Sequence, residues 1–189
     1  MSRILIVYGT TDGHTRKIAA VLASTLEEAG CDADIWHAQD RAPDVDPAAY
    51  AGVIVAASVH RGAYQKAMGE WARRHGSVLS VKPSAFISVC LAVRETRPDA
   101  QAECQETVTK FLTAAGWRPA TYRIVAGAVP FTRYGWLKRW MMKRHQAKVG
   151  GDTDTSRDWE YTDWDELRAF ARDFAIEQGI VPMPAPTSP

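Results

Sequence analysis

The chain is poor in cysteine, with Cys31, Cys90 and Cys104 far apart and no CxxC pair. That spacing builds neither a disulfide framework nor a zinc ribbon, and it fits a reducing compartment. Long apolar runs are also missing. Met1-Ser2-Arg3 leads straight into Ile4-Leu5-Ile6-Val7-Tyr8 and then polar residues, too short a stretch for a signal peptide or a bilayer span. A cytoplasmic protein is expected. Nor is there a charge of one sign: 23 Lys+Arg stand against 22 Asp+Glu. With 46% hydrophobic and 24% charged residues, neither a disordered chain nor a nucleic-acid coat is expected. No internal repeat is present. A chain of 189 residues favours one compact domain, placed at 1–181. The proline-rich 182–189 reads as a disordered tail.

What is there is an alternation of strands and helices. Ile4 to Tyr8 is short, apolar and rich in β-branched residues, as expected of a central strand covered on both faces. Ile18, Val21, Leu22 and Leu26 then recur at helical spacing, and Gly30 stands where a helix end favours positive φ. The order repeats with strands at Ala33–Trp36, Val53–Ser58, Ala85–Val89 and Tyr122–Ala126. Helices are expected over Gln65–His75, around Cys104–Leu112, and over Trp164–Phe174 with Thr162 as cap. The expected fold class is α/β, a doubly wound five-stranded parallel sheet with ligands beyond the strands' carboxyl ends.

Directly after the first strand comes Gly9-Thr10-Thr11-Asp12-Gly13-His14-Thr15, whose N–H groups and hydroxyls open a helix: an anion site. It lacks the Lys-Ser/Thr ending of a nucleoside-triphosphate loop and the G-x-G-x-x-G of a dinucleotide turn, so a terminal monophosphate is the natural ligand. The same residues would also serve as a plain turn into a helix. The loop resembles the flavodoxin phosphate loop, matching at Gly9, Thr10, Thr11, Gly13 and Thr15 with Asp12 in place of a threonine. That resemblance implies the phosphate of FMN. A carboxylate beside a phosphate is repelled, so Asp12 is expected to turn away and cap loop N–H groups. The flavin ring would then lie across the next two strand ends. There Ser58, His60, Arg61, Gly62 and Tyr64 offer stacking or hydrogen bonds, and N–H groups at Ser88, Val89, Cys90 and Leu91 face the pyrimidine edge. His60 and Arg61 fit a solvated loop equally well, and for Cys90 itself plain packing is the better reading.

Residues 130–158 form an insertion whose stretch 130–149 contains no acid but carries Arg133, Lys138, Arg139, Lys143, Arg144 and Lys148 among Tyr134, Trp136, Leu137, Trp140, Met141 and Met142. Tyr134, Leu137 and Met141 share a helical face with the two tryptophans beside it, imperfectly, because Arg144 and Lys148 intrude. Such a segment suits an anionic bilayer surface, an acidic partner or RNA, or a helix completing the core.

Taken together these pieces resemble the flavodoxin-like, quinone-linked protoporphyrinogen IX dehydrogenases. The likeness runs nearly end to end: Thr10 to Thr15, Ala57-Ser58 with Gly62-Ala63-Tyr64, Pro83 to Phe86 with Ser88-Val89, Trp117-Arg118-Pro119, Ala126-Gly127-Ala128, Arg133-Tyr134, Gly150 to Thr155, and Tyr161 to Trp164. The resemblance implies non-covalent FMN oxidising protoporphyrinogen IX in haem biosynthesis, with menaquinone or ubiquinone as acceptor. The protein would then be peripheral on the inner face of the cytoplasmic membrane. It adds Gly151, Asp152 and Thr153 to the cofactor-binding candidates. Flavin N5 accepts the hydride, so no catalytic side chain is assigned. Arg133, Lys138 or Arg139 would meet the substrate's propionates, while Tyr134, Trp136 and Trp140 face substrate or membrane. Arg61, Cys90 and His14 depart from the family pattern, which expects tyrosine, asparagine, and glutamine or asparagine there. Competing readings are a flavodoxin-type FMN electron carrier between proteins and a binding module without flavin. An exposed aromatic insertion would also suit a homodimer.

Overall fold

The computed structural model describes residues 2–40, 44–95 and 97–182. Beyond Pro182 the expected tail lies outside the described residues. The chain runs β1 (Arg3–Gly9), α1 (His14–Glu28), β2 (Asp32–His37), β3 (Gly52–Ser58), α2 (Lys66–Val81), β4 (Ser84–Val89), α3 (Ala100–Ala115), β5 (Thr121–Val125), β6 (Ala128–Val129), α4 (Trp136–Val149), β7 (Trp159–Glu160) and α5 (Trp164–Glu177). Gly30 takes φ 86°, as its place after α1 predicts.

Five strands form one parallel sheet in the order β2-β1-β3-β4-β5. The alternating side chains of β1 explain its unbroken apolar run. Ile4, Ile6 and Tyr8 pack under α1 and α5 with Ile18, Leu22, Leu26, Leu167 and Phe174. Leu5 and Val7 face the opposite side with Met68, Trp71, Leu79, Val108 and Trp117 from α2, α3 and the segment after it. Each such fully buried side chain contributes about 1.5–3 kcal/mol, so both faces are committed and a one-residue register slip is costly.

Three local differences from the sequence reading have physical causes. Helix α2 continues past His75 to Val81, because buried Gly76 serves as the point where α2 touches the backbone carbonyl of Ala115 on α3. Asp163, not Thr162, caps α5, its carboxylate accepting from the N–H groups of Asp165 and Glu166 at 3.1 and 2.9 Å. The insertion is tied down by an antiparallel pair, β6 with β7, too short to leave a periodic signal. It encloses a small core of its own, Val129, Phe131 and Tyr134 against Leu91, Met142, Trp159 and Tyr161.

The register sets Gly9 opposite Ala57 and Ser58 opposite Val89, so β1, β3 and β4 end side by side. Strand order reverses between β1 and β3, and the loops there splay apart to leave a crevice.

Candidate functional site

Gly13 takes φ 90°, a left-handed turn that L side chains rarely adopt, and swings the chain from β1 into α1. Its N–H donates to Thr10 Oγ1 at 2.9 Å. Among the described residues no side chain caps α1, which leaves the first-turn N–H groups available to an anion with the helix dipole behind them. Thr15, in that first turn, is fully buried and its hydroxyl has no partner among the described residues. A buried hydroxyl without a partner costs about 1–3 kcal/mol, and such groups concentrate where a ligand completes them. Unsatisfied N–H groups, an orphaned hydroxyl and a glycine turn together fit a phosphate ester such as that of FMN.

Asp12 does not cap the loop. Its carboxylate reaches across to the insertion, accepting from Lys138 Nζ at 2.8 Å and from the Tyr134 hydroxyl at 3.2 Å. Lys138 also lies 3.9 Å from the centre of the Tyr134 ring. The ammonium neutralises Asp12, which removes the repulsion a phosphate would otherwise meet. Burial, and then Asp12, push the Tyr134 hydroxyl well above the usual phenol range, so it remains a donor.

His14 is more constrained than its place in a loop suggests. Thr162 donates its hydroxyl hydrogen to the Ala126 carbonyl at 2.6 Å and so accepts from His14 Nε2–H at 2.7 Å. Burial lowers the His14 pKa below its ordinary 6.5, the nearby Glu160 opposing and Lys17 assisting, so the imidazole is neutral with Nδ1 free of hydrogen.

The crevice encloses about 560 Å3, its open mouth included. Thr10, Thr11, Asp12, His14 and Thr15 line the end beside the start of α1, and Ser58, Val59, His60, Val89 and Leu91 the strand ends. Gly127 and Ala128 form one wall, and Tyr134, Lys138 and Met142 of the insertion form the roof. Residues 60–63 make a tight hairpin in which His60 and Ala63 exchange N–H···O bonds of 2.8 and 3.2 Å. Arg61 and Gly62 occupy its two left-handed positions at φ 53° and 77°. For arginine that costs on the order of 1 kcal/mol.

Several expected site residues face elsewhere. Tyr64 turns under the sheet, donates to Ser88 Oγ at 2.8 Å and packs on Phe86 and Phe111, so neither it nor the buried Ser88 side chain faces the crevice. The Cys90 N–H is donated to the Val125 carbonyl at 2.9 Å, and its thiol points at Cys104 rather than into the crevice. Gly151 lines a separate hollow with Arg94, Gln146 and Tyr161, and Asp152 accepts the Tyr161 hydroxyl at 2.8 Å. Neither those two nor Thr153 lines the main crevice. Arg139 donates to the carbonyls of Phe131 and Tyr134 at 3.0 and 3.1 Å and so holds the turn before α4. Trp136 and Trp140 point outward, 82% and 57% exposed, beside exposed Leu137 and Met141.

A further residue enters the site from the start of α2. Gln65 donates to Thr11 Oγ1 at 3.0 Å and to Ser58 Oγ at 2.9 Å, joining the phosphate loop to the end of β3. Its only sequence signal is a polar side chain at a helix start. Asp158 likewise anchors the insertion, accepting from the Thr132 N–H and hydroxyl at 2.8 and 2.7 Å.

Comparison with known proteins agrees with this geometry. A model of the flavodoxin domain matches residues 5–156. Protoporphyrinogen IX dehydrogenase [quinone] of Escherichia coli K12 is 37% identical over 174 residues, covering 92% of this chain and 94% of that protein. The protein of the same name from Leishmania major is 34% identical over 181 residues, covering 95% of this chain and 78% of its own length. Among solved structures, oxidised flavodoxin 1 of Bacillus cereus superposes with a TM-score of 0.57 at 14% identity, covering 92% of this chain and 97% of that one.

Proposed function

Since the chain belongs to the flavodoxin domain family and, within it, to the protoporphyrinogen IX dehydrogenases [quinone], we propose that it oxidises protoporphyrinogen IX to protoporphyrin IX with FMN as cofactor and a quinone, menaquinone or ubiquinone, as acceptor. The observation that carries the cofactor half is the buried, partnerless Thr15 hydroxyl beside the uncapped start of α1. FMN supplies the group that takes hydride from the porphyrinogen and returns electrons to the quinone.

The residues of the chain divide the remaining work. Thr10 orders the loop, and the α1 N–H groups with Thr15 hold the phosphate. His60, Val89 and Leu91 flank the space for the ring and exclude water from it. Tyr134, Lys138 and Met142 close the crevice from the insertion side, held there by Asp12. Among the basic residues expected to meet the propionates, Arg139 is committed to backbone carbonyls and Lys138 to Asp12. That role falls to Arg133, whose guanidinium lines a hollow next to the crevice, beside Gly13 and Lys17, and donates to the Asp12 carbonyl at 3.5 Å.

Among the described residues no helix is long and apolar enough to cross a membrane. The outward Trp136, Leu137, Trp140 and Met141, set among Lys143, Arg144 and Lys148, suit peripheral contact with an anionic bilayer from which a lipid-soluble quinone is drawn. The half-reactions test the proposal under anaerobic conditions. Protoporphyrinogen IX bleaches the yellow absorbance of the FMN-loaded protein, and a soluble menaquinone analogue restores it. A spectrum that porphyrinogen leaves unchanged contradicts it.

A further inference from the structure

The three cysteines lie far apart in sequence, yet the fold brings two of them together. Cys90 Sγ and Cys104 Sγ stand 3.3 Å apart, and both residues are buried, 6% and 2% exposed. Cys31 lies in the other layer of the molecule, bonded to the Ser2 carbonyl, with no thiol beside it. We propose that Cys90 and Cys104 are a dithiol that closes to an intramolecular disulfide when the protein meets a peroxide.

The geometry rests on more than proximity. Cys90 leaves β4 in an extended conformation at the head of the short turn Leu91–Arg94, and Cys104 projects from the first turns of α3. Between them Arg97 grips Glu95 at 2.7 Å and Glu103 at 2.8 Å, clamping the start of α3 against the connection that carries Cys90. Closing the pair asks the sulfurs to approach from 3.3 Å to about 2.05 Å, a movement within reach of side-chain rotation and small backbone shifts.

Burial, with the hydrogen bond to Cys90 and the negative charges of Glu95 and Glu103, pushes the Cys104 thiol up to about 12. Cys90, the less deeply buried of the two at 6% exposed against 2%, is the sulfur that meets the peroxide first. In the first step Cys90, losing its proton, forms an S–O bond as the peroxide O–O bond breaks, giving a sulfenic acid and water. In the second the Cys104 sulfur displaces the sulfenic oxygen, which leaves as water with the second thiol proton. Two thiols lose two electrons and two protons, and one hydrogen peroxide becomes two waters. Because both sulfurs are buried, the reaction waits on local opening and is slow compared with that of an exposed thiolate. The product staples Leu91, a wall of the crevice, to α3.

The test treats the full-length, FMN-loaded protein with hydrogen peroxide, then denatures it, alkylates free thiols and measures intact mass and tryptic peptides. The expected result is loss of two of the three alkylatable thiols and a linked pair of peptides, 75–94 with 95–110, both reversed by dithiothreitol. Cys31→Ala leaves that link unchanged, and Cys104→Ala abolishes it. Three alkylatable thiols after treatment would overturn the proposal, as would stable over-oxidation of Cys90 without the link, or a disulfide to Cys31 or to a second chain.

Discussion

Thr15 carries the most specific prediction because its hydroxyl is buried without a partner. In Thr15→Val the shape is kept and the orphaned group is removed. Thermal stability of the FMN-free protein is then unchanged or slightly higher, while FMN binds about tenfold more weakly, roughly the 1–2 kcal/mol of one hydrogen bond to a charged ligand. Fluorescence titration against FMN and riboflavin checks this, since riboflavin has no phosphate to lose. His14 makes a second prediction. Burial depresses its folded pKa below 6.5, so between the two values the unfolded chain binds more protons than the fold. Its contribution is intact above about pH 6.5 and declines as pH falls through that window. His14→Gln therefore flattens the fall in Tm on acidification. At this scale the sequence was legible where chemistry is contiguous, as in Thr10 to Thr15. It was not legible where a partner is remote: the expectation that Asp12 caps the loop failed because Lys138 and Tyr134 are more than a hundred residues away.

Between elements, the ion pair from Asp12 to Lys138 ties the phosphate loop to α4. Both groups are partly exposed, so the pair is worth only about 1 kcal/mol. Asp12→Asn keeps the shape but removes the charge, and amide hydrogen exchange in α4 should rise several-fold while exchange in β1 and β3 stays unchanged. Equal exchange in both forms would mean that the hairpin and the Asp158 anchor hold α4 alone. The outward face of α4 has its own test. Trp136→Ser with Trp140→Ser touches only exposed side chains, so stability and FMN content should hold while sedimentation with anionic liposomes is lost. Strands and helices of the sheet domain were readable from period and length. The hairpin of β6 and β7 was not, since two-residue strands have no period, and α4 was only half readable because its outer face mixes tryptophan with arginine.

For the whole molecule, the parallel sheet in the order β2-β1-β3-β4-β5 sets a crevice beyond the ends of β1, β3 and β4, and the insertion roofs it. The fold alone is shared with flavodoxins, whereas the near end-to-end likeness to named dehydrogenases places this chain with them. Crevice, cofactor site and roof together serve quinone-linked porphyrinogen oxidation. The measurement that reaches it most directly is porphyrin fluorescence under anaerobic conditions, with FMN-loaded protein, protoporphyrinogen IX and a soluble quinone. Porphyrin should form only when both the FMN-loaded protein and the quinone are present. Bound FMN with no porphyrin formed above the protein-free control, whichever quinone type is supplied, would contradict it.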